Sequence, residues 1–93
     1  MKLRYTTTAL RQIDDALAYV ADHSPQGASN LRKRLVSVLA LLQDHPLAGQ
    51  ATSRPQARRV VLAPYPYVLF YRIGSGEIVV TRFRHAARKN RVG

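Results

Sequence analysis

Cysteine is absent from the chain, and residues with acidic side chains are scarce. Without a thiol, the protein can form no disulfide, no zinc site with thiolate ligands and no cysteine nucleophile. Five aspartate and glutamate residues stand against 15 lysine and arginine residues, so the formal net charge is +10. This excess of positive charge indicates a polyanionic partner, such as nucleic acid or an acidic protein.

Long apolar stretches are also missing. No run approaches the length needed to span a bilayer, and Arg4 comes too early for an apolar leader peptide. We therefore expect a cytoplasmic protein without membrane contact. An apolar content of 46% with 22% charged residues is typical of a globular chain, and 93 residues suit one domain. We expect this domain to span residues 1–93, with residues 86–93 as a basic tail.

The positive charge is concentrated in the second half of the chain. Residues 1–45 contain six basic and four acidic side chains, a net charge of +2. Residues 46–93 contain nine basic side chains and one acidic side chain, Glu77, a net charge of +8. The C-terminal half is therefore expected to bind the polyanionic partner.

Hydrophobic periodicity and turn signals divide the chain into a strand, two helices and three further strands. Apolar residues alternate over residues 1–6 and then recur at helical spacing until about Asp22. Thr7 or Thr8 can cap the first helix, and Ser24 followed by proline predicts the start of the second. The later predictions are a helix end at Asp44 to Pro46, a surface loop from Leu47 to Gln56, and strands from Arg58 to Leu62, Tyr67 to Ile73 and Glu77 or Ile78 to Phe83.

This order of elements predicts an α+β fold with an N-terminal strand, an antiparallel helix hairpin and three antiparallel strands. The link between the helices is short, so they should pack against each other as a hairpin. We expect both helices to cover one face of a sheet of about four strands. A charged partner would then bind the other face, which stays open.

The register of the last β-hairpin decides which arginines share a face. A three-residue loop pairs Ile73 with Glu77 and puts Arg72 and Arg82 on the same face. A four-residue loop pairs Ile73 with Ile78, moves Arg82 to the opposite face and brings His85 to the face of Arg72. The spacing permits both registers. We favour the second, because a possible set of core residues then shares one face, namely Val68, Phe70, Val79 and Phe83.

Several segments of the C-terminal half closely resemble the RelE/ParE superfamily of bacterial toxins. They are Arg58 followed by Val60 and Val61, the stretch YPYVLFYRI at residues 65–73, and RFRHAAR at residues 82–88. The resemblance is strongest to the ParE and plasmid-stabilisation branch, and it extends over essentially the whole chain. It implies a β-α-α-β-β-β fold and a toxin of a type II toxin-antitoxin system. It also implies a small antitoxin whose C-terminal segment wraps around the toxin.

Two functions occur in this superfamily, and fold alone does not choose between them. ParE-like members inhibit DNA gyrase and so DNA replication, whereas RelE-like members cleave messenger RNA on the ribosome. We expect ParE-like inhibition of gyrase, with the ribosome-dependent endoribonuclease as the alternative. The expected partner is an acidic, ParD-like antitoxin in a hetero-oligomer. No cofactor is expected, and the three histidines lack the spacing of metal ligands.

The candidate site residues follow from these two functions. In a nuclease, Arg59, Arg72 and Arg82 would clamp the phosphate, and His85 would exchange protons near its reference pKa of about 6.5. Alternatively, His85 caps the end of the last strand through a backbone hydrogen bond. The residues expected to bind the target are Arg72, Arg82, Arg84, His85, Arg88, Lys89 and Arg91. Those expected to bind the antitoxin are Arg58, Arg59, Leu35 and Leu39. Alternatively, the two arginines serve only to protect an exposed strand edge.

Overall fold

The computed structural model describes residues 1–87 and has the predicted α+β architecture. Its helices are longer than the average helix, and its strands follow in the expected order. The elements are β1 (Lys2–Tyr5), α1 (Thr7–His23), α2 (Pro25–Asp44), a 3₁₀ turn (Pro46–Ala48), β2 (Gln50–Ala51), β3 (Ala57–Val61), β4 (Tyr67–Gly74) and β5 (Glu77–His85).

The described strands form one sheet in the order β1-β5-β4-β3-β2. β1 is an edge strand and runs parallel to β5, whereas the other neighbours are antiparallel. The sheet has five strands rather than about four, because Gln50 and Ala51 pair with Arg59 and Arg58. Strand β2 lies inside the predicted loop, and its two exposed residues carry no alternating apolar pattern that would reveal it.

Both helices start at hydroxyl caps. Thr6 caps α1, one residue earlier than predicted, and its Oγ1 accepts a hydrogen bond from the Ala9 amide at 3.0 Å. Ser24 caps α2 as predicted, and its Oγ accepts from the Gly27 amide at 2.9 Å. These bonds satisfy amide groups that the first turn of a helix leaves without partners.

The core lies between the helix hairpin and one face of the sheet. The sheet contributes alternate residues of β4 and β5, namely Tyr67, Leu69, Tyr71, Ile78, Val80 and Phe83. The helices contribute Ala9, Ile13, Leu17, Leu31, Leu35, Val38, Leu39 and Leu42. Among the described residues, neither helix combines the length and the apolar character needed to cross a membrane.

The hairpin between β4 and β5 has the favoured register, since Ile73 pairs with Ile78, but it contains a β-bulge. Tyr71 pairs with Val80 whereas Phe70 pairs with Arg82, so Thr81 is an extra residue on β5. Beyond the bulge the side chains of β5 change faces.

The faces assigned from the sequence were therefore wrong. The residues favoured as core, Val68, Phe70 and Val79, lie on the face opposite the helices, and only Phe83 of that set belongs to the core. The bulge also puts Arg82 on the same face as Arg72. It puts His85 on the helix side of the sheet, where His85 pairs with Tyr67. A regular ladder would give the reverse.

Candidate functional site

Five arginine side chains among residues 1–87 share the face of the sheet that points away from the helices. Their positions follow from the strand pairing. One row across the strands consists of Arg59, Phe70 and Arg82. In the next row on the same face, Val79 lies between Arg72 and Arg4. All five arginines are exposed. We call this surface the arginine face and define it by Arg4, Arg59, Arg72, Arg82 and Arg84.

The bulge at Thr81 brings the arginines of β5 to this face. The Thr81 hydroxyl donates to the Phe70 carbonyl at 3.3 Å, and the Thr6 hydroxyl donates to the Thr81 carbonyl at 3.3 Å. The second bond links the bulge to the N-cap of α1. Because β5 changes phase here, Phe83 enters the core at 2% exposure while Arg82 and Arg84 point outward.

A single carboxylate among the described residues lies on the arginine face. Glu77 accepts two hydrogen bonds from Arg4, at 3.0 Å from Nε and 3.2 Å from Nη2, at the β1 edge of the sheet. This exposed pair neutralises Arg4 and contributes little to stability. The remaining four arginines of the face have no acidic counterpart there within residues 1–87. The arginine face is therefore a strongly positive surface.

Apolar side chains lie between the arginines. Val68 and Val79 are 7% and 2% exposed although they are outside the core cluster, because the aliphatic stems of neighbouring arginines can shield them. Phe70 is half-buried near the centre of the face. The Arg84 guanidinium carbon lies 5.3 Å from the centroid of the Phe70 ring, which is a cation–π contact.

A shallow groove of about 580 Å³ borders Phe70 at the β2 side of the arginine face. Its lining residues are Gln50, Ala51, Thr52, Arg59 and Phe70. The Thr52 hydroxyl is engaged, since it donates to the Ala57 carbonyl at 3.0 Å and accepts from the Arg54 amide at 3.2 Å. The groove therefore presents an aromatic ring and a guanidinium beside the exposed amide of Gln50.

His85 does not lie with the arginines. It faces the helix side of the sheet beside Tyr67, with ring centroids 5.2 Å apart and ring planes at 78°. Its Nδ1 accepts a hydrogen bond from the Ala87 amide at 3.1 Å, which requires a ring without a proton on Nδ1. This contact agrees with the strand-end cap considered from the sequence. The sheet thus separates His85 from Arg59, Arg72 and Arg82, and the nuclease set is not assembled.

The side chain of Arg58 is engaged in hydrogen bonds to the backbone and is only partly exposed. Its Nη1 donates to the Gly49 carbonyl at 2.7 Å and to the Leu47 carbonyl at 3.4 Å. Tyr71 fixes the same segment, since its hydroxyl accepts from the Gly49 amide at 3.0 Å and donates to the Pro46 carbonyl at 2.6 Å. These bonds hold the connection from α2 to β2 against the sheet.

Burial raises the pKa of the Tyr71 hydroxyl above its ordinary value of 10.0, and the hydrogen bond from Gly49 and the charge of Arg58 act in the opposite direction. This network was not predicted from the sequence. The one available sign was that a tyrosine in a buried strand needs a hydrogen-bond partner for its hydroxyl.

The residues predicted to bind an antitoxin are divided by the structure. Leu35 and Leu39 belong to the core and are only 6% and 7% exposed, so they offer little surface to a partner. Arg58 donates a hydrogen bond to the backbone of the preceding loop, and Arg59 lies on the arginine face. The outer surface of the helices instead carries exposed apolar side chains, namely Leu10, Tyr19, Val36 and Leu41.

The predicted target-binding set is only partly assembled. Arg72, Arg82 and Arg84 share the arginine face. Arg88, Lys89 and Arg91 lie outside the described residues. Phe70 was not singled out from the sequence, because its outward position depends on the face that the helices cover. Residues 1–87 contain no group of three potential metal-ligating side chains.

Comparison with known proteins places this geometry in a family. The family model of the ParE toxin of the type II toxin-antitoxin system parDE matches residues 3–90. Toxin Y4kP of Sinorhizobium fredii is 31% identical over 85 residues, which cover 91% of this chain and 88% of that protein. Toxin RelE2 of Caulobacter vibrioides is 31% identical over 84 residues, which cover 90% and 93% of the two chains.

Solved structures show the same fold. A chain of the chromosomal ParDE system from P. aeruginosa superposes with a TM-score of 0.76 at 25% identity, over 91% of this chain and 95% of that one. The isolated E. coli RelE toxin superposes with a TM-score of 0.71 at 18% identity, over 96% and 87% of the two chains. The chain therefore belongs to the ParE family within the RelE/ParE superfamily and is a toxin of a type II toxin-antitoxin system.

Proposed function

We propose that the protein acts as ParE-like toxins do, by inhibiting DNA gyrase, and that the arginine face is its target-binding surface. The observation that carries this proposal is the clustering of arginines without a proton-transfer group. Arg59, Arg72, Arg82 and Arg84 share a face on which the single carboxylate of the described residues, Glu77, is paired with Arg4. Such a surface can bind an acidic protein or a nucleic acid backbone.

RNA cleavage has further requirements. It needs a base for the ribose hydroxyl, an acid for the leaving oxygen and cations for the phosphorane charge. The arginine face provides the cations, but guanidinium groups stay protonated and do not exchange protons near neutral pH. His85 faces the other side of the sheet. Binding without chemistry is thus the function that this geometry supports best.

We further propose a cytoplasmic complex with an acidic, partly amphipathic, ParD-like antitoxin. Similar solved structures include a chain from a ParDE system and the E. coli RelBE toxin-antitoxin complex. The chain offers two surfaces for such a partner. The arginine face attracts acidic side chains, and the exposed Leu10, Val36 and Leu41 of the helix layer can receive apolar ones. The antitoxin would then compete with the target for the arginines.

The alternative function, RelE-like cleavage of messenger RNA on the ribosome, is favoured by one observation. Toxin RelE2 of Caulobacter vibrioides is 31% identical to this chain, and the arginines could still hold a phosphate. In this alternative His85 supplies the acid or base. Cleavage would then require His85 to act from a different position, or a group from the ribosome.

Two parallel assays distinguish these functions. Purified toxin is added to gyrase in a supercoiling assay and to programmed ribosomes in a messenger cleavage assay, as the wild type and as His85→Ala. We expect inhibited supercoiling by both proteins and no cleavage by either. Unaffected supercoiling at toxin excess would refute the proposal. Messenger cleavage that disappears in His85→Ala would support the alternative instead.

A further inference from the structure

We infer that the arginine face contains a stacking subsite for one base of a single-stranded nucleic acid, formed by Phe70 and Arg84. The phosphates on either side of that base would be held by Arg59 and Arg82. The inference shares the arginine face with the proposed function, but it requires neither gyrase nor a ribosome. It concerns direct equilibrium binding by the chain itself.

Phe70 occupies a position that suits base stacking. The chain has two phenylalanines, and Phe83 is a core residue at 2% exposure. Phe70 lies on the opposite face of β4, outside the core cluster, and is half-buried among cations. An outward aromatic ring on a central strand has no packing role against the helices. Sheets that bind single-stranded nucleic acids place aromatic rings in this way, because every base has a π-face that can stack.

Across the strands, Phe70 lies between two arginines. Arg59 on β3 pairs with Phe70 on β4, and Phe70 pairs with Arg82 on β5. Neighbouring strands are about 4.8 Å apart, so the two arginines start roughly 10 Å apart with the ring between them. Their flexible side chains can therefore reach the phosphates before and after a base that stacks at the centre.

Arg84 contacts the Phe70 ring. Its guanidinium carbon lies over the Phe70 ring, 5.3 Å from the centroid, so the cation and the ring are in contact on the open face of the sheet. A planar guanidinium also stacks on nucleobases, and it adds positive charge that a second aromatic ring would lack. The adjoining groove of about 580 Å³ gives space beside this pair, and the amide of Gln50 can hydrogen-bond to a base edge.

An acidic protein surface would use the same arginines differently. It would contact the cations, and it would have no need of a flat aromatic and guanidinium pair next to an open groove. The central row of cation, aromatic ring and cation therefore favours nucleic acid over an acidic peptide.

The test measures binding of fluorescent oligonucleotides by anisotropy, with the full-length chain and no other protein. Oligothymidine and oligouridine of about eight nucleotides are compared with matched strands that carry one central abasic site. We expect the wild type to bind the intact strands more tightly than the abasic ones. The tighter of the two intact strands identifies DNA or RNA as the ligand.

Protein variants then locate the stacking contact. Phe70→Leu should weaken binding of the intact strand by roughly 5- to 150-fold, the range of one base–aromatic stack, and should bind intact and abasic strands equally. Phe70→Tyr keeps the ring and should resemble the wild type. Arg11→Ala removes an exposed charge from α1 and should not change the preference for intact strands.

Arg84→Lys provides a second variant that conserves charge. It keeps the cation but loses the planar group, so the preference for intact over abasic strands should fall while the salt dependence stays the same. This result remains informative if circular dichroism shows that Phe70→Leu is unfolded.

Three results would overturn the inference. They are the absence of oligonucleotide binding, equal affinity of the wild type for intact and abasic strands, and binding of polyglutamate with the same sensitivity to Phe70→Leu. The last result would assign the surface to an acidic protein. Gyrase inhibition is measured in a separate assay. If the subsite is overturned but the toxin still inhibits gyrase, the proposed function stands. If the toxin does not inhibit gyrase but binds oligonucleotides as expected, the subsite stands.

Discussion

Arg58 and Arg59 show how strand position gives neighbouring identical residues different roles. The side chain of Arg58 points to the helix side and donates to the Gly49 carbonyl at 2.7 Å. Arg59 points to the opposite side and pairs across the strands with Phe70. From the sequence, antitoxin binding or protection of a strand edge is predicted for both arginines, because a two-residue alternation cannot be assigned to a face until the register is known.

Tyr71 gives a first prediction at the scale of one residue. Replacement by phenylalanine removes the hydroxyl that accepts from the Gly49 amide and donates to the Pro46 carbonyl. Both backbone groups then lose a partner at a buried site, so Tyr71→Phe should lower the free energy of unfolding by roughly 1 to 3 kcal/mol. Urea unfolding followed by circular dichroism measures this change. An unchanged midpoint would show that the hydroxyl does not stabilise the segment.

The hydroxyls of Tyr71 and Tyr5 should make the stability of the protein depend on pH. Burial raises the pKa of both Tyr71 and Tyr5 above 10.0 in the folded chain, while the unfolded chain keeps the ordinary value. Between these two values the unfolded chain binds fewer protons, so the free energy of unfolding falls as the pH rises above about 10. The decline should be smaller in Tyr71→Phe. Equal declines in the two proteins would contradict this account.

At the scale of elements, the bulge at Thr81 determines the composition of the arginine face. The start of α2 could be predicted, because serine followed by proline is a local signal that acts within one turn. The bulge could not, since an extra residue in a ladder is defined only by the partner strand. Strand β2 was missed for the same reason: its two residues are a strand only because β3 lies beside them.

Deletion and insertion around Thr81 test the bulge. Deleting Thr81 preserves the pairs Tyr71–Val80 and Phe70–Arg82 and removes two side-chain hydrogen bonds, so it should cost roughly 1 to 3 kcal/mol without loss of the fold. Inserting an alanine after Thr81 instead moves Phe83 out of the core or opens the ladder. That change should cost at least about 3 kcal/mol.

Urea unfolding of the two variants gives the comparison. The assignment of the bulge to Thr81 is contradicted if the deletion unfolds the chain while the insertion is tolerated. Thr81 would then not be the extra residue of the bulge.

At the scale of the whole molecule, charge is separated between the two layers. Residues 46–87 contain six basic side chains and Glu77, a net charge of +5, and form most of the sheet, while residues 1–45, with a net charge of +2, supply β1 and both helices. This separation was visible in the sequence. Its focus on one face, with Phe70 and a groove at the centre, needed the structure, because it depends on where the helices pack and on the bulge. A positive face opposite a nearly neutral one can attract and orient an acidic target.

The central claim is that the arginine face carries the inhibitory activity. The most direct measurement is the toxin concentration that halves gyrase supercoiling, for the wild type, for Arg59→Ala/Arg82→Ala, and for Arg11→Ala/Arg32→Ala. The last variant loses the same charge from the exposed helix surface. We predict that the first double variant needs at least about tenfold more toxin, equivalent to ~1.4 kcal/mol, while the helix variant resembles the wild type. Equal inhibition by both double variants would contradict the claim.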